Sequence, residues 1–116
     1  MKRLRNHYIG IDQGEEILFQ DFENGGPMWT GTGPRMSRRL VSYGEAFRSA
    51  PSVQVALTMW DFDEAKNARV DLKAENITKD GFEIVFRTWG DTRVARVRVG
   101  WTAMGELRDS DEWDLY

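Results

Sequence analysis

"GFEIVFRTWGDTRVARVRVGW", residues 81–101, decides the fold class. Apolar and polar residues alternate on both sides of Trp89-Gly90-Asp91-Thr92, and such alternation marks half-buried β-strands. Glycine at the first central position of a two-residue loop fits a type II′ turn, so the stretch predicts a β-hairpin. In that register Phe82 faces Val99, Ile84 faces Val97 and Phe86 faces Ala95, all apolar. The opposite face sets Glu83 against Arg98 and Val85 against Arg96. A one-residue slip would pair apolar with charged residues throughout. Trp89 falls on the polar face at the strand's last position, where a core does not account for it.

Working outward, "ARVDLKAENI" places Val70, Leu72 and Ala74 inward and Asp71 and Lys73 outward. "SVQVALTMW" (52–60) puts Val53, Val55, Leu57 and Met59 on one face. "RRLVSYG" (38–44) reads as a further strand, and "YIGIDQGEEILFQDF" (8–22) as a β-rich stretch interrupted at Gly14. "GEAFRSA" and "DFDEAKNA" are long enough for about one turn of helix each. Six strands with little helix predict an all-β domain, an antiparallel sandwich or barrel. Trp101 continues the inward set of the last strand, while Trp60 can lie on either side. Trp113 suits an edge or a neighbouring subunit.

A chain of 116 residues makes one domain and buries about two-thirds of its unfolded surface. Residues 1–40 supply an N-terminal strand and a Gly-rich loop, 41–104 the core, and 105–116 an acidic tail. The absence of cysteine excludes disulfides, thiolate metal sites and a thiol nucleophile. One histidine, His7, argues against a metal centre or a Ser-His-Asp triad, so no cofactor is expected. Arginine outnumbers lysine 12 to 4, which favours planar hydrogen-bonding contacts over diffuse charge. There is no apolar run of membrane-spanning length, and the basic start "MKRLRNHYIG" lacks the apolar segment of a secretory signal. The expectation is a soluble protein made in the cytoplasm, with an extracellular or particle-surface role open to it.

An exposed tryptophan at a loop mouth offers a platform for a pyranose, whose axial C–H groups cluster on one side. Packing against another loop or a second subunit is the alternative. "DFDEAKNARV" (61–70) carries Asp61, Asp63 and Glu64 but lacks the glycine and terminal glutamate of an EF-hand loop. These acids could serve a glycosidase or simply a solvated loop. Arg69, on the polar side of the next strand, could clamp a sugar hydroxyl or cap the loop through Asp61 or Asp63. "NGGPMWTGTGPR" (24–35) is neither a Walker loop nor a dinucleotide fingerprint, and a long irregular loop is often functional or an interface. Arg35, Arg38 and Arg39 follow it. That cluster beside aromatics is the one hint of nucleic-acid binding by an OB-type barrel, and net charge −3 opposes it. "NIT" (76–78) matches a glycosylation acceptor, a pattern common by chance.

"FRSAPSVQVALTMWD", "NARV", "NITKDGFEIVFRTWGDTRV" and "VGWTAMG" stand here in the order and spacing of one family. From about Val41 to Met104 the chain resembles the H-type lectin domain, the sugar-binding module also found at the C-terminus of the discoidin lectins. The resemblance implies a six-stranded antiparallel β-sandwich without enzymatic activity, assembling as a homotrimer. It implies galactose- or N-acetylgalactosamine-type glycans held near subunit boundaries, with roles such as cell adhesion. In that family, residues at the positions of Arg69 and Trp89 contact the sugar, and both are present. Its best-known members have histidine where this chain has Gly90 and an aromatic where it has Ala95. Their acidic contact comes from the loop before the third strand, where the nearest acids here are Asp21 and Glu23. The predicted site is Arg69, Trp89, Gly90 and Asp91, with Trp29 as a further wall. The competing readings are a trimeric virion- or tail-like particle-surface protein that keeps the fold without the sugar, and the glycosidase of residues 61–64.

Overall fold

The alternation across 81–101 is real, but the two strands that carry it lie in different sheets. The structure, a computed structural model, describes residues 1–5 and 8–108; His7 and Trp113 lie outside the described residues, as does 109–116 of the expected acidic tail. Six strands form: β1 (Ile9–Phe19), β2 (Arg35–Ser42), β3 (Ser52–Phe62), β4 (Val70–Glu75), β5 (Gly81–Thr88) and β6 (Val94–Glu106). They build two antiparallel three-stranded sheets, ordered β1-β6-β3 and β2-β5-β4, packed as a sandwich.

β5 therefore pairs with β2 and β4, and never with β6. This corrects the hairpin. Phe82, Ile84 and Phe86 meet Val97 and Val99 in the core between the sheets, all fully buried. Alternation of period two reports which way a side chain points, and it is the same whether the partner is a neighbouring strand or an opposing sheet. The charged pairs change accordingly. Glu83 accepts from Arg38 at 2.6 Å, Arg98 reaches Glu15 at 3.2 Å, and Arg96 reaches Asp61 at 3.3 Å. A bulge shifts β6 so that Asp61 faces Arg96 while Phe62 faces Val94. Val94, not Ala95, fills the inward place.

A second bulge, between Leu57 and Met59, shifts the register of β3, so that Leu57 lies opposite Val99 and Met59 opposite Arg98, while exposure keeps alternating through Trp60. Val53, Val55, Leu57, Val70, Leu72 and Ala74 pack on the core as the pattern indicates. Trp60 is 60% exposed. β1 runs unbroken through Gly14 because the absent side chain admits Trp101: a Cβ there would stand 2.8 Å from Trp101 Nε1. Trp101 is core, packed edge-on against Phe82 at 5.5 Å.

Neither "GEAFRSA" nor "DFDEAKNA" is helical. The two short helices lie instead in the Gly-rich segment: α1 (Asp21–Asn24) and α2 (Pro27–Thr30). Asp21 Oδ2 accepts the Met28 N–H at 2.8 Å, and Met28 is buried, which anchors the segment to the body. Gly26 permits this, because a Cβ there would stand 2.4 Å from the Asp21 carboxyl carbon. The basic cluster also divides. Arg38 goes to Glu83, Arg39 to Glu16 at 3.3 Å, and Arg35 back onto loop carbonyls.

Candidate functional site

Three connections, 20–34, 63–69 and 89–93, meet at one end of the sandwich, tied together by side chains that donate to backbone carbonyls. Arg35 is the main tie. Its Nε donates to Gly33 O at 2.9 Å, Nη1 to Met28 O at 3.2 Å, and Nη2 to Gly90 O at 3.3 Å. Gly33 N–H adds a bond to Gly90 O at 2.8 Å. Burial pulls the Arg35 guanidinium below the usual arginine range, because these dipoles replace water without supplying a counter-charge.

Arg69 is placed through its backbone. Thr92 Oγ1 accepts the Arg69 N–H at 3.0 Å and donates to Asn67 O at 2.6 Å. Thr88 Oγ1 donates to Arg69 O at 2.6 Å. Both threonines are buried, so the peptide groups of residue 69 are fixed in a water-poor setting where such bonds are strongest. The Arg69 side chain then runs along Gly90, whose Cβ position would lie 3.6 Å from Arg69 Cδ and 3.8 Å from Nε. Gly90 has φ of +71°, a conformation open to glycine, so a side chain here is both strained and in the path of Arg69. Among the described residues the Arg69 guanidinium has no hydrogen-bond or ion-pair partner.

Trp89 directly follows β5 and is 41% exposed. With Pro34, Arg35, Met36, Arg87 and Thr88 it lines an open cavity of about 310 Å³. Asp91 Oδ1 accepts from Asn67 Nδ2 at 3.3 Å. Of the predicted residues, Arg69, Trp89, Gly90 and Asp91 therefore gather at one turn. Trp29 sits in a separate cavity of about 340 Å³ with Gln20, Phe22, Glu23, Ala95 and Arg96. There it packs edge-on to Phe22 at 5.1 Å and under the Arg93 guanidinium at 4.1 Å. Asp63 holds Arg93 at 3.2 Å and so braces the loops, while Asp61 holds Arg96 across β3 and β6.

The sequence reading missed Thr88, Thr92 and the tying role of Arg35. The available signal was a threonine on the inward parity at each end of the turn, where the rest of the strand is apolar. Thr92→Val removes the bond to Asn67 O and orphans the Arg69 N–H. It is expected to cost about 1–3 kcal/mol, read by chemical denaturation, with Thr92→Ser close to wild type.

A family model for the H-type lectin domain matches residues 38–104, more than half of the chain. The chain belongs to the H-type lectin domain family. A discoidin-1 polypeptide of Dictyostelium discoideum is 32% identical to this H-type lectin domain over 75 residues, covering 64% of the chain and 30% of the discoidin. The solved structure of discoidin II from Dictyostelium discoideum superposes with a TM-score of 0.73 at 27% identity, covering 87% of this chain and 39% of that one. The wild-type discoidin II structure gives a TM-score of 0.74 at the same identity. The H-type lectin domain thus spans about a third of these discoidins. A Fuscovulum blasticum protein called "ATP synthase subunits region ORF 7" is 54% identical over 107 residues, 92% of this chain and 93% of its own length.

Proposed function

We propose that this H-type lectin domain is a non-enzymatic carbohydrate-binding module for galactose- or N-acetylgalactosamine-type sugars. Trp89 stacks on the apolar face of the ring, Arg69 donates to its hydroxyls, and Asp91 accepts from one. The observation that carries this reading is an indole 41% exposed next to Gly90, along which runs an Arg69 side chain whose guanidinium no described residue engages. The exposed arginines of the sheet faces, such as Arg38, Arg96 and Arg98, are paired, so a clamp held ready by two buried threonines suits a polar ligand.

A single shallow site of this kind binds on the order of 1 mM, about −4 kcal/mol. Homotrimerisation makes such binding useful, because neighbouring sites raise the effective concentration on a glycan-bearing surface. The outer face of the β1-β6-β3 sheet favours assembly. Ile11, 65% exposed, stands beside Met104, 42% exposed, and the row that follows is the uncharged Gln13, Thr102 and Gln54. Among the described residues no helix is long and apolar enough to cross a membrane.

A glycan array on the purified protein, with light scattering for its mass, tests both parts. Binding confined to galactose-type glycans by a species of three chains is the expected result. An intact trimer that binds no glycan would overturn the sugar-binding reading in favour of a particle-surface role.

A further inference from the structure

Between positions 35 and 98 the arginines Arg38, Arg39, Arg48, Arg87, Arg93, Arg96 and Arg98 each hold a carboxylate. The two that do not are Arg35 and Arg69, and these two converge on Gly90. Arg35 Nη2 donates to Gly90 O, and the Arg69 side chain lies along the open side of the same residue. Arg35 also lines the cavity of Trp89. Arg87, on that cavity's other side, is already neutralised by Glu75 at 3.0 Å and Asp71 at 3.7 Å. Asp91, the nearest carboxylate along the chain, turns to Asn67 and pairs with neither free arginine. Gly90, the neighbour of Trp89, is therefore approached by two guanidinium groups that pair with no carboxylate among the described residues, in a protein whose net charge is −3.

A neutral sugar leaves that charge uncompensated. An oxyanion on the ring would form charge-assisted hydrogen bonds, about twice as strong as neutral ones, and guanidinium geometry matches carboxylate and sulfate. We propose that the Trp89 site takes a galactose-type sugar bearing an anionic substituent, a carboxylate or a sulfate, held at Arg69 and the field of Arg35. The inference rests on the carbohydrate-binding reading and narrows its ligand to acidic glycans.

The test is calorimetric titration of the full chain with three oligosaccharides of equal length: neutral galactose units, galacturonate units and sulfated galactose units. At low salt at least one acidic ligand is expected to bind tenfold or more tightly than the neutral one. Raising the salt to about 0.5 M should shrink that ratio, since exposed charges are screened within a few ångströms there. Whether the uronate or the sulfate leads identifies the source of the anion. In Arg69→Gln the ratio should fall to about one, and in Trp89→Ala all three should be lost. Equal affinities in the wild-type chain would overturn the acidic preference while leaving the lectin reading in place. A preference that survives Arg69→Gln would overturn it as well, by putting the anion on other basic residues such as Lys2, Arg3 and Arg5. Failure of all three ligands would bring down the carbohydrate reading and this inference with it.

Discussion

Trp101→Ala is expected to lower the stability of the fold by about 3–5 kcal/mol, as deletion of a buried aromatic does. Trp101 is 8% exposed at the middle of β6, packed edge-on to Phe82 and 6.4 Å from the ring of Tyr43. Its indole also lies over Gly14 of the adjacent strand. Alanine would empty a volume bounded by both sheets, and the backbone pairing of β1 and β3 to β6 prevents the walls from closing in. Domains of this size are stable by about 5–15 kcal/mol, so the loss is a large share of the whole. The denaturant midpoint reports it, with an unchanged slope if the unfolded state is unaffected. A midpoint within experimental error of the wild type would mean that the two sheets do not share this ring.

Trp89→Ala should behave in the opposite way: sugar binding is lost, and stability changes by no more than about 1 kcal/mol. Trp89 directly follows β5 and contributes nothing to the core cluster. The turn that bears it is held by other groups, namely Thr88, Thr92, Arg35 and the Gly33–Gly90 bond. Removing the indole therefore takes away the platform and leaves the frame. Titration with the tightest ligand from the array, alongside denaturation of the same preparation, separates the two quantities. A collapse in stability would assign Trp89 to packing and move the sugar site elsewhere.

The pattern of residues 81–101 is sufficient for strand identity, for the inward set Phe82, Ile84 and Phe86, and for the exposure of Trp89. It is insufficient for partner choice. Gly90 does take a positive φ, as the turn reading requires, yet the chain leaves this turn toward the other sheet. The local sequence carries no term for that, because the partners of β5 come from residues 35–42 and 70–75. Ala95 escapes the pattern for a related reason: a bulge changes parity without leaving a composition signal. Side-chain type is what nominates Trp89 and Arg69 as candidate site residues, and the structure brings both to the turn at Gly90. The buried hydroxyls that position Arg69 act through the backbone of a distant segment, and threonine in a strand is too common to announce that role.

The order of the β1-β6-β3 sheet has a consequence for how the chain matures. Of the six strands, the one made last is the middle one of its sheet, so β1 and β3 have no hydrogen-bonding neighbour until β6 arrives. A nascent chain stopped short of residue 94 would present two long unsatisfied edges, the kind of surface that invites aggregation. Completion of the molecule is thus its own checkpoint: prematurely terminated copies should precipitate or be degraded rather than persist as half-made binders.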